Sequence, residues 1–187
     1  MQVDDEEVRE IARILVQAED FVGAAHDFVA SFTSYRREIG DYWATPGETL
    51  QAQTLRREEG IEFSCDCDDM AILLCSILRN YTPPEEVFCA IGTLDGDGHM
   101  WLVMGGNGQD KIIEATASSG KPVKGNYKVY AIFNDQYCFS YPEGIREFCL
   151  KPVEKKEVIV DLDKDELLKK YSSNLPDSKY RKHYQSY

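Results

Sequence analysis

The sequence has too little positive charge, and no apolar run of sufficient length, for two broad classes of function. It contains 21 Lys and Arg residues against 33 Asp and Glu residues, so its formal net charge at neutral pH is -12. A nucleic-acid-binding protein shows a basic stripe instead, and an anionic membrane surface repels an acidic protein. No stretch of eighteen apolar residues occurs, so no transmembrane helix is predicted. We therefore expect neither a nucleic acid nor a membrane among the partners of this chain.

A secretory leader is not visible either. Residues 1–7 are acidic and do not form a basic segment followed by an apolar one, which a leader requires. The six cysteines are an even number, but the chain is long for a disulfide-stapled domain, so we interpret them as reduced thiols of a cytoplasmic protein. Four of them lie in apolar surroundings and are predicted to fill the core: Cys75, Cys89, Cys138 and Cys149.

The sequence does hold enough apolar material for one core. Hydrophobic residues make up 43% of the 187 residues, which suits a single globular domain. We predict that residues 1–150 form this domain, with N-terminal helices over 1–40 and the core over 41–150. Residues 151–187 are predicted to be a charged extension with a short helix and a tyrosine-rich tail. Helical periodicity precedes strand patterning along the chain, which is typical of an α+β fold.

Two apolar stripes near the N-terminus indicate one long helix or two shorter helices. They cover about residues 5–38, with a possible break at Gly23. Asp4 and Glu7 have the spacing of a capping box at the start of the first stripe. His26 lies in the second stripe, and we interpret it as a surface or core-edge histidine.

The apolar pattern changes after residue 85 from helical spacing to short strand-like runs. Before that point, a short helix is predicted over about residues 48–60, and a longer one follows it. From residue 87 onward, short apolar runs alternate with turns rich in Gly, Asp and Asn, which is typical of antiparallel hairpins. Successive hairpins of this kind make a meander. Five strands are predicted, over residues 87–92, 99–104, 111–115, 128–133 and 136–140.

The longer helix, over residues 65–79, is predicted to be buried, with the rest of the chain around it. Apolar residues recur at helical spacing and cover most of its surface. Three aspartates stand in or just before its first turn, where the helix dipole favours negative charge. Cys67 therefore lies at the helix N-terminus, where free backbone N–H groups and the dipole stabilise a thiolate.

Three residues together have the chemistry of a nucleophilic triad. Cys67 opens the buried helix, His99 opens the strand after the first hairpin, and Glu114 lies on the next strand, where a meander can bring it beside His99. A thiol nucleophile needs a base to take its proton, and the base needs a third group that fixes its tautomer. The backbone N–H of Cys67 offers one donor to an oxyanion. Trp43, through its indole N–H, and Gln51 are candidates for the second donor.

Four short segments resemble motifs of the transglutaminase-like superfamily, whose members share a papain-like cysteine-hydrolase core. Three of them are similar to its core motifs in order and spacing: Cys67-Asp68-Asp69-Met70-Ala71, His99-Met100-Trp101 and Ile113-Glu114-Ala115-Thr116. The fourth, Trp43-Ala44-Thr45-Pro46-Gly47-Glu48-Thr49-Leu50, is similar to the segment that precedes the cysteine in bacterial transglutaminase-like cysteine proteinases. The resemblance covers about residues 40–120.

The resemblance implies both a fold and a set of roles. It places the cysteine at the start of a buried helix that packs on an antiparallel sheet. It makes Cys67 the nucleophile, His99 the base and Glu114 the orienting acid in acyl transfer from an amide through a thioester. The chain departs from the family pattern at three positions: Cys65-Asp66 stands where Gly-Asp is usual, Met100 where Ala is common, and Glu114 where Asp is usual.

We predict a cysteine-dependent amide or peptide hydrolase with a peptide or protein substrate. Two alternatives stay open. One is a protein-crosslinking transglutaminase, in which an amine takes the acyl group. The other is a non-catalytic module that keeps the fold for binding.

Metal chemistry is not predicted for the triad. Zinc ligation by Cys65, Cys67 and His99 is disfavoured, because no second cysteine pair stands at zinc spacing. We therefore expect no cofactor. Some bacterial members of the superfamily bind calcium, so the resemblance leaves weak calcium binding open near Asp66, Asp68 or Asp69.

Overall fold

The computed structural model describes residues 1–37, 42–105, 111–117 and 124–141. In this part of the chain, helices come first and strands follow. The elements are α1 (Glu6–Leu15), α2 (Phe21–Phe32), α3 (Pro46–Glu59), α4 (Cys67–Arg79), β1 (Val87–Leu94), β2 (Asp97–Met104), β3 (Lys111–Ile113), β4 (Tyr127–Phe133) and β5 (Cys138–Ser140). None of the described helices is long and apolar enough to cross a membrane. The turn predicted before β3, Cys149 and the predicted extension over 151–187 lie outside the described residues.

The strands form one antiparallel sheet in the order β3-β2-β1-β4-β5. The first three strands are the predicted meander, and β4 pairs with β1 on the side opposite β2. The β1–β2 hairpin turns at Asp95 and Gly96, whose φ angles are 52° and 99°, as a tight two-residue turn requires. Four described helices that precede this sheet confirm the predicted α+β fold class.

α4 is the buried helix that the sequence predicts. Every residue from Asp68 to Arg79 is buried, and the helix contacts α1, α2, α3, β1 and β2. Each fully buried Leu or Ile contributes about 1.5–3 kcal/mol of hydrophobic stabilisation, and α4 carries several of them. The first residue of α4 therefore stands on a rigid support.

The N-terminal region forms two helices that separate at residues 16–20 rather than at Gly23. Asp20 is the N-cap of α2, and its carboxylate accepts a hydrogen bond from the N–H of Gly23 (2.9 Å), so the glycine belongs to the first turn. Asp5, and not Asp4, is the N-cap of α1 and accepts from two N–H groups. Acidic residues stand next to each other at both places, and their spacing alone does not show which of them caps the helix.

α3 is confirmed with an earlier start. Thr45 and Glu48 form a capping box, and Pro46 occupies the first turn, where its missing N–H costs nothing. The helix ends at Gly60, whose φ of 69° lies in the left-handed region that glycine adopts easily. The start therefore moves from Glu48 to Pro46, and the end lies where it was predicted.

Five cysteines lie in the described part of the chain, and all of them are free thiols. Cys75 and Cys89 are fully buried, as predicted. The prediction that Cys138 fills the core was wrong, because it lies on the edge strand β5, all of whose residues are exposed.

Candidate active site

Cys67 is the first residue of α4, and the capping contacts around it do not use its N–H group. The carboxylates of Asp66 and Asp69 form a reciprocal capping box. Asp68 accepts a hydrogen bond from the N–H of Asp69 (2.7 Å), and the N–H of Met70 donates to the carbonyl of Asp66 (3.2 Å). None of the described residues accepts a hydrogen bond from the N–H of Cys67. This group is therefore available to a ligand at the helix N-terminus.

His99, on β2, connects Cys67 to Glu114. Its Nε2 lies 2.7 Å from Oε2 of Glu114, and the Cys67 side chain lies close enough to the ring to raise the pKa of His99. Because Nε2 faces the carboxylate, Nδ1 is the ring nitrogen left for the thiol. Burial disfavours the charged ring, but hydrogen bonds and charges from Cys67 and Glu114 outweigh burial and raise the pKa of His99 to about 9. At neutral pH the ring is therefore an imidazolium beside a thiol.

Glu114 follows β3 directly, and its carboxylate is enclosed by donors. Oε2 accepts from His99 and from the hydroxyl of Tyr127 (3.0 Å). Oε1 accepts from the N–H (3.1 Å) and the hydroxyl (2.8 Å) of Thr116. Burial favours the neutral acid, but the bonds from His99 and Thr116 outweigh burial and lower the pKa of Glu114. The ionised carboxylate holds the ring in one orientation and stabilises the imidazolium.

Two residues that sequence reasoning did not assign to the site hold Glu114 in place. Tyr127 is the first residue of β4 and donates to the carboxylate. His26 of α2 lies with Nε2 2.8 Å from the backbone carbonyl of Glu114, and it is buried rather than at the surface or core edge. The sequence offers no signal for either contact beyond a polar atom in an otherwise apolar stretch.

Aromatic rings pack against His99. Trp101 of β2 stacks on it with ring centroids 5.9 Å apart, and the ring of Tyr127 lies 6.4 Å away. Trp101 and Tyr127 also contact each other, with ring centroids 4.9 Å apart. Gly92 of β1 makes room for this cluster, since a Cβ there would lie 2.9 Å from Cη2 of Trp101. These contacts fix the plane of the His99 ring.

The two residues predicted as second oxyanion donors lie in different surroundings. The N–H of Ala44 donates to Asp69 (2.9 Å), which places the neighbouring Trp43 near the start of α4. The Trp43 ring stacks on Phe133, with centroids 5.8 Å apart. Gln51 is an exposed residue of α3. The oxyanion role of both residues stays a prediction.

A carboxylate cluster lies beside Cys67, formed by Asp66, Asp68 and Asp69. One oxygen of each lies within 4.8 Å of the others, which is about twice a typical Ca–O distance of about 2.4 Å. Asp68 and Asp69 are buried, and burial together with the neighbouring acids raises the pKa of Asp68 to about 8. Carboxylate oxygens are the ligands that Ca²⁺ prefers. The donor set and its spacing therefore fit one calcium ion.

No protein-family model and no curated protein matches this chain. Among solved structures, calcium-bound LapG of Legionella pneumophila is 16% identical with a TM-score of 0.50, over 88% of this chain and 97% of that one. EGTA-treated LapG is 16% identical with a TM-score of 0.51, over 89% and 96%. A further LapG structure is 14% identical with a TM-score of 0.53, over 75% and 89%. At this identity the likeness shows the fold alone, an α+β fold similar to that of LapG.

Proposed function

We propose that this chain is a cysteine-dependent amide or peptide hydrolase. In this proposal Cys67 is the nucleophile, His99 the base and Glu114 the orienting acid. The observation that carries the proposal is the grouping of three side chains: the Glu114 carboxylate bonds to Nε2 of His99 at 2.7 Å, and Cys67 lies close enough to the same ring to raise the pKa of His99. Titratable groups with shifted pKa values that meet beside a partly exposed thiol are typical of a catalytic site.

The reaction has two steps. The Cys67 thiolate attacks the carbonyl carbon of an amide, and the carbonyl oxygen takes up the electron pair, facing the N–H of Cys67. His99 gives its proton to the leaving amine as the C–N bond breaks, which leaves a thioester on Sγ. His99 then takes a proton from water, the resulting hydroxide attacks the thioester, and the acid departs as the thiolate returns.

A peptide or protein is the proposed substrate. Exposed aromatic side chains stand near the start of α4, where an extended chain can pack on them: Tyr35, Tyr42 and Trp43. Aromatic rings provide large contact areas at low entropic cost. If a primary amine replaces water at the thioester, the same residues perform a transglutaminase reaction. A module kept only for binding has the same residues without turnover.

We also propose that the carboxylate cluster binds Ca²⁺. The spacing of its oxygens supports this, and LapG has been solved both calcium-bound and EGTA-treated. A bound cation would favour the ionised form of all three acids, two of which are buried, and would displace the proton that a pKa of about 8 leaves on Asp68 at neutral pH. No catalytic step requires the ion. Its proposed effect is to hold the N-terminus of α4 in place.

Alkylation of Cys67 tests the proposal without a substrate. Iodoacetamide labelling at about pH 6, followed peptide by peptide by mass spectrometry, should modify Cys67 at least about tenfold faster than an ordinary thiol. His99→Ala should remove this advantage, because the imidazolium that stabilises the thiolate is lost. Cys138, an exposed thiol on β5, is the internal control. A Cys67 that reacts no faster than Cys138 would refute the proposed nucleophile.

Turnover then separates the three functions. Release of coumarin from a library of peptidyl coumarin amides, abolished by Cys67→Ala, identifies a hydrolase. Incorporation of dansylcadaverine into casein identifies a transglutaminase. A reactive Cys67 without turnover of either kind identifies a binding module.

A further inference from the structure

A short backbone bridge joins the residues after α2 to the start of α4. The N–H of Arg36 donates to the carbonyl of Cys65 (2.8 Å), and the N–H of Cys65 donates to the carbonyl of Arg36 (3.1 Å). In an antiparallel pairing, the residue before one partner lies across from the residue after the other. Tyr35 therefore lies across from Asp66, the N-cap of α4 and the neighbour of Cys67.

The backbone that carries Tyr35 is also held from its other side. The N–H of Ser34 donates to Oε1 of Gln53 (3.1 Å), and Gln53 is fully buried. Both chain neighbours of Tyr35 are thus tied to α3 or to the segment that leads into α4. The position of this tyrosine relative to Cys67 is consequently set by backbone contacts and does not depend on its own side chain.

The side chain of Tyr35 combines accessibility with closeness to the thiol. It is 54% exposed, so a ligand at Cys67 can reach it. Partial burial raises the pKa of Tyr35, and the negative charges of Cys67 and Asp66 raise it further. The backbone pairing of Arg36 with Cys65 places this side chain beside the residues that lead into Cys67.

An acyl transfer at Cys67 calls for more than one donor to the oxygen that becomes negative. The N–H of Cys67 supplies one. Gln51 is exposed on α3, and the ring of Trp43 is stacked on Phe133. Tyr35 is a third candidate, because backbone contacts on both sides hold it beside the start of α4.

We propose that the hydroxyl of Tyr35 is the second oxyanion donor and therefore a further catalytic residue, a role that rests on the proposed function of Cys67. A tyrosine hydroxyl stays protonated at neutral pH, and its O–H rotates to suit an acceptor. Its hydrogen bond strengthens as the carbonyl oxygen gains charge, so it stabilises the transition state more than the bound substrate. The same ring forms one wall of the acyl site.

Two small reagents that both react with the Cys67 thiol distinguish an oxyanion donor from a residue that acts on the thiol itself or on the fold. p-Nitrophenyl acetate acetylates Cys67 through a tetrahedral oxyanion and releases p-nitrophenolate, which is read by absorbance. Iodoacetamide alkylates Cys67 by displacement at carbon and forms no oxyanion. Loss of one oxyanion donor costs about 10²–10³ in the turnover of a protease. With this activated ester, Tyr35→Phe should slow acetylation at least about tenfold and leave alkylation within about twofold.

Tyr130→Phe is the matched control, because Tyr130 is similarly exposed (48%) but lies on β4. In this variant, Cys67 should be acetylated and alkylated at the wild-type rates. Unchanged acetylation in Tyr35→Phe overturns the proposal. An equal loss of both rates overturns it too, because the hydroxyl then acts on the thiol or on the fold. A wild-type Cys67 that reacts with neither reagent refutes the proposed function, and the role of Tyr35 with it.

Discussion

Glu114 shows how a longer acid is accommodated beside His99. The superfamily resemblance implies an aspartate here, and the pattern predicts that this residue lies on the third strand. β3 instead ends at Ile113, and the chain turns at Glu114 so that Thr116 donates twice to its carboxylate. The additional methylene carries the carboxylate to His99 from outside the strand.

The protonation state of His99 can be measured as a function of pH. Its pKa of about 9 lies above the ordinary value of 6.5, so the ring should remain charged at neutral pH. Its contribution to stability is fully present below about pH 6.5 and is lost as the pH rises through about 9. An NMR titration of the histidine ring signals, with His99 assigned by its absence in His99→Gln, should give a midpoint near pH 9.

Cys67→Ser is the matched variant for this titration. Serine keeps a hydrogen-bonding side chain of similar shape, but it removes the sulfur whose interaction with the ring raises the pKa of His99. The midpoint of His99 should then fall by about one unit or more. A wild-type midpoint near 6.5 contradicts a charged His99 ring at neutral pH.

Some site residues could be predicted because their chemistry is conspicuous in the sequence. A cysteine at a helix start, followed by a histidine and an acid on later strands, led to Cys67, His99 and Glu114, and the structure brings these three side chains together. His26 could not be found in this way, since its contact with Glu114 spans 88 residues. Tyr127 could not be found either, because its contact depends on the position of β4 in the sheet.

Among the elements, β1 is the one on which the geometry of the site depends. It pairs with β2 and with β4, and its register with β4 shifts between Ile91 and Gly92. Gly92 lies opposite His99 on β2 and opposite Val129 on β4. A bulge changes the local twist of a strand, so the irregularity at Gly92 determines how β4 approaches the histidine.

Gly92→Ala should therefore destabilise the sheet. The added Cβ would lie 1.7 Å from the backbone carbonyl oxygen of Lys128, and backbone cannot move aside as a flexible side chain can. We expect a loss of about 3 kcal/mol or more, which lowers the melting temperature by about 6–12 °C. Differential scanning calorimetry measures this loss, and the alkylation rate of Cys67 should fall with it.

Gly98→Ala is the control for this substitution. Gly98 lies on β2, and a Cβ there meets nothing within 4 Å. The free energy of unfolding of Gly98→Ala should therefore stay within about 0.5 kcal/mol of the wild-type value. Equal melting temperatures for the two variants would show that the sheet tolerates a side chain at Gly92.

Elements were easier to predict than their ends and their neighbours. Helical and alternating patterns arise within a few residues, so all of the described helices and strands have counterparts in the predicted pattern. Helix starts depend on single caps, and Asp4 was chosen where Asp5 caps α1. The pairing of β4 with β1 carries no local signal at all.

In the molecule as a whole, the chain crosses from one edge of the sheet toward the other between β3 and β4. A connection of a dozen residues spans up to about 40 Å, while the strands it must pass are about 4.8 Å apart. The connection can therefore reach either side of the meander, and pattern alone does not decide between them. Packing of the finished sheet selects the order that brings Tyr127 to Glu114.

Calcium binding should stabilise the whole fold. A ligand at ten times its Kd adds about 1.4 kcal/mol by mass action, which is about 3–6 °C for a chain of this size. CaCl₂ should raise the melting temperature by this amount, EGTA should reverse the change, and Asp68→Asn should remove the response. Asp97→Asn, at an exposed aspartate of β2, should respond like the wild type. A wild-type melting temperature that changes with neither CaCl₂ nor EGTA contradicts the proposed calcium site.

The distance along the chain between Cys67 and Glu114, 47 residues, has a consequence during synthesis. A ribosome that adds about 5–20 residues per second makes the thiol roughly 2–10 s before the acid. Until β2 and the residues beyond β3 have emerged and paired, the thiol lacks its imidazolium partner. The Cys67 thiol of the nascent chain is therefore not activated until the sheet is complete. For the proposed hydrolase, the order of elements would therefore delay activation of the thiol until the residues of the site have all been synthesised.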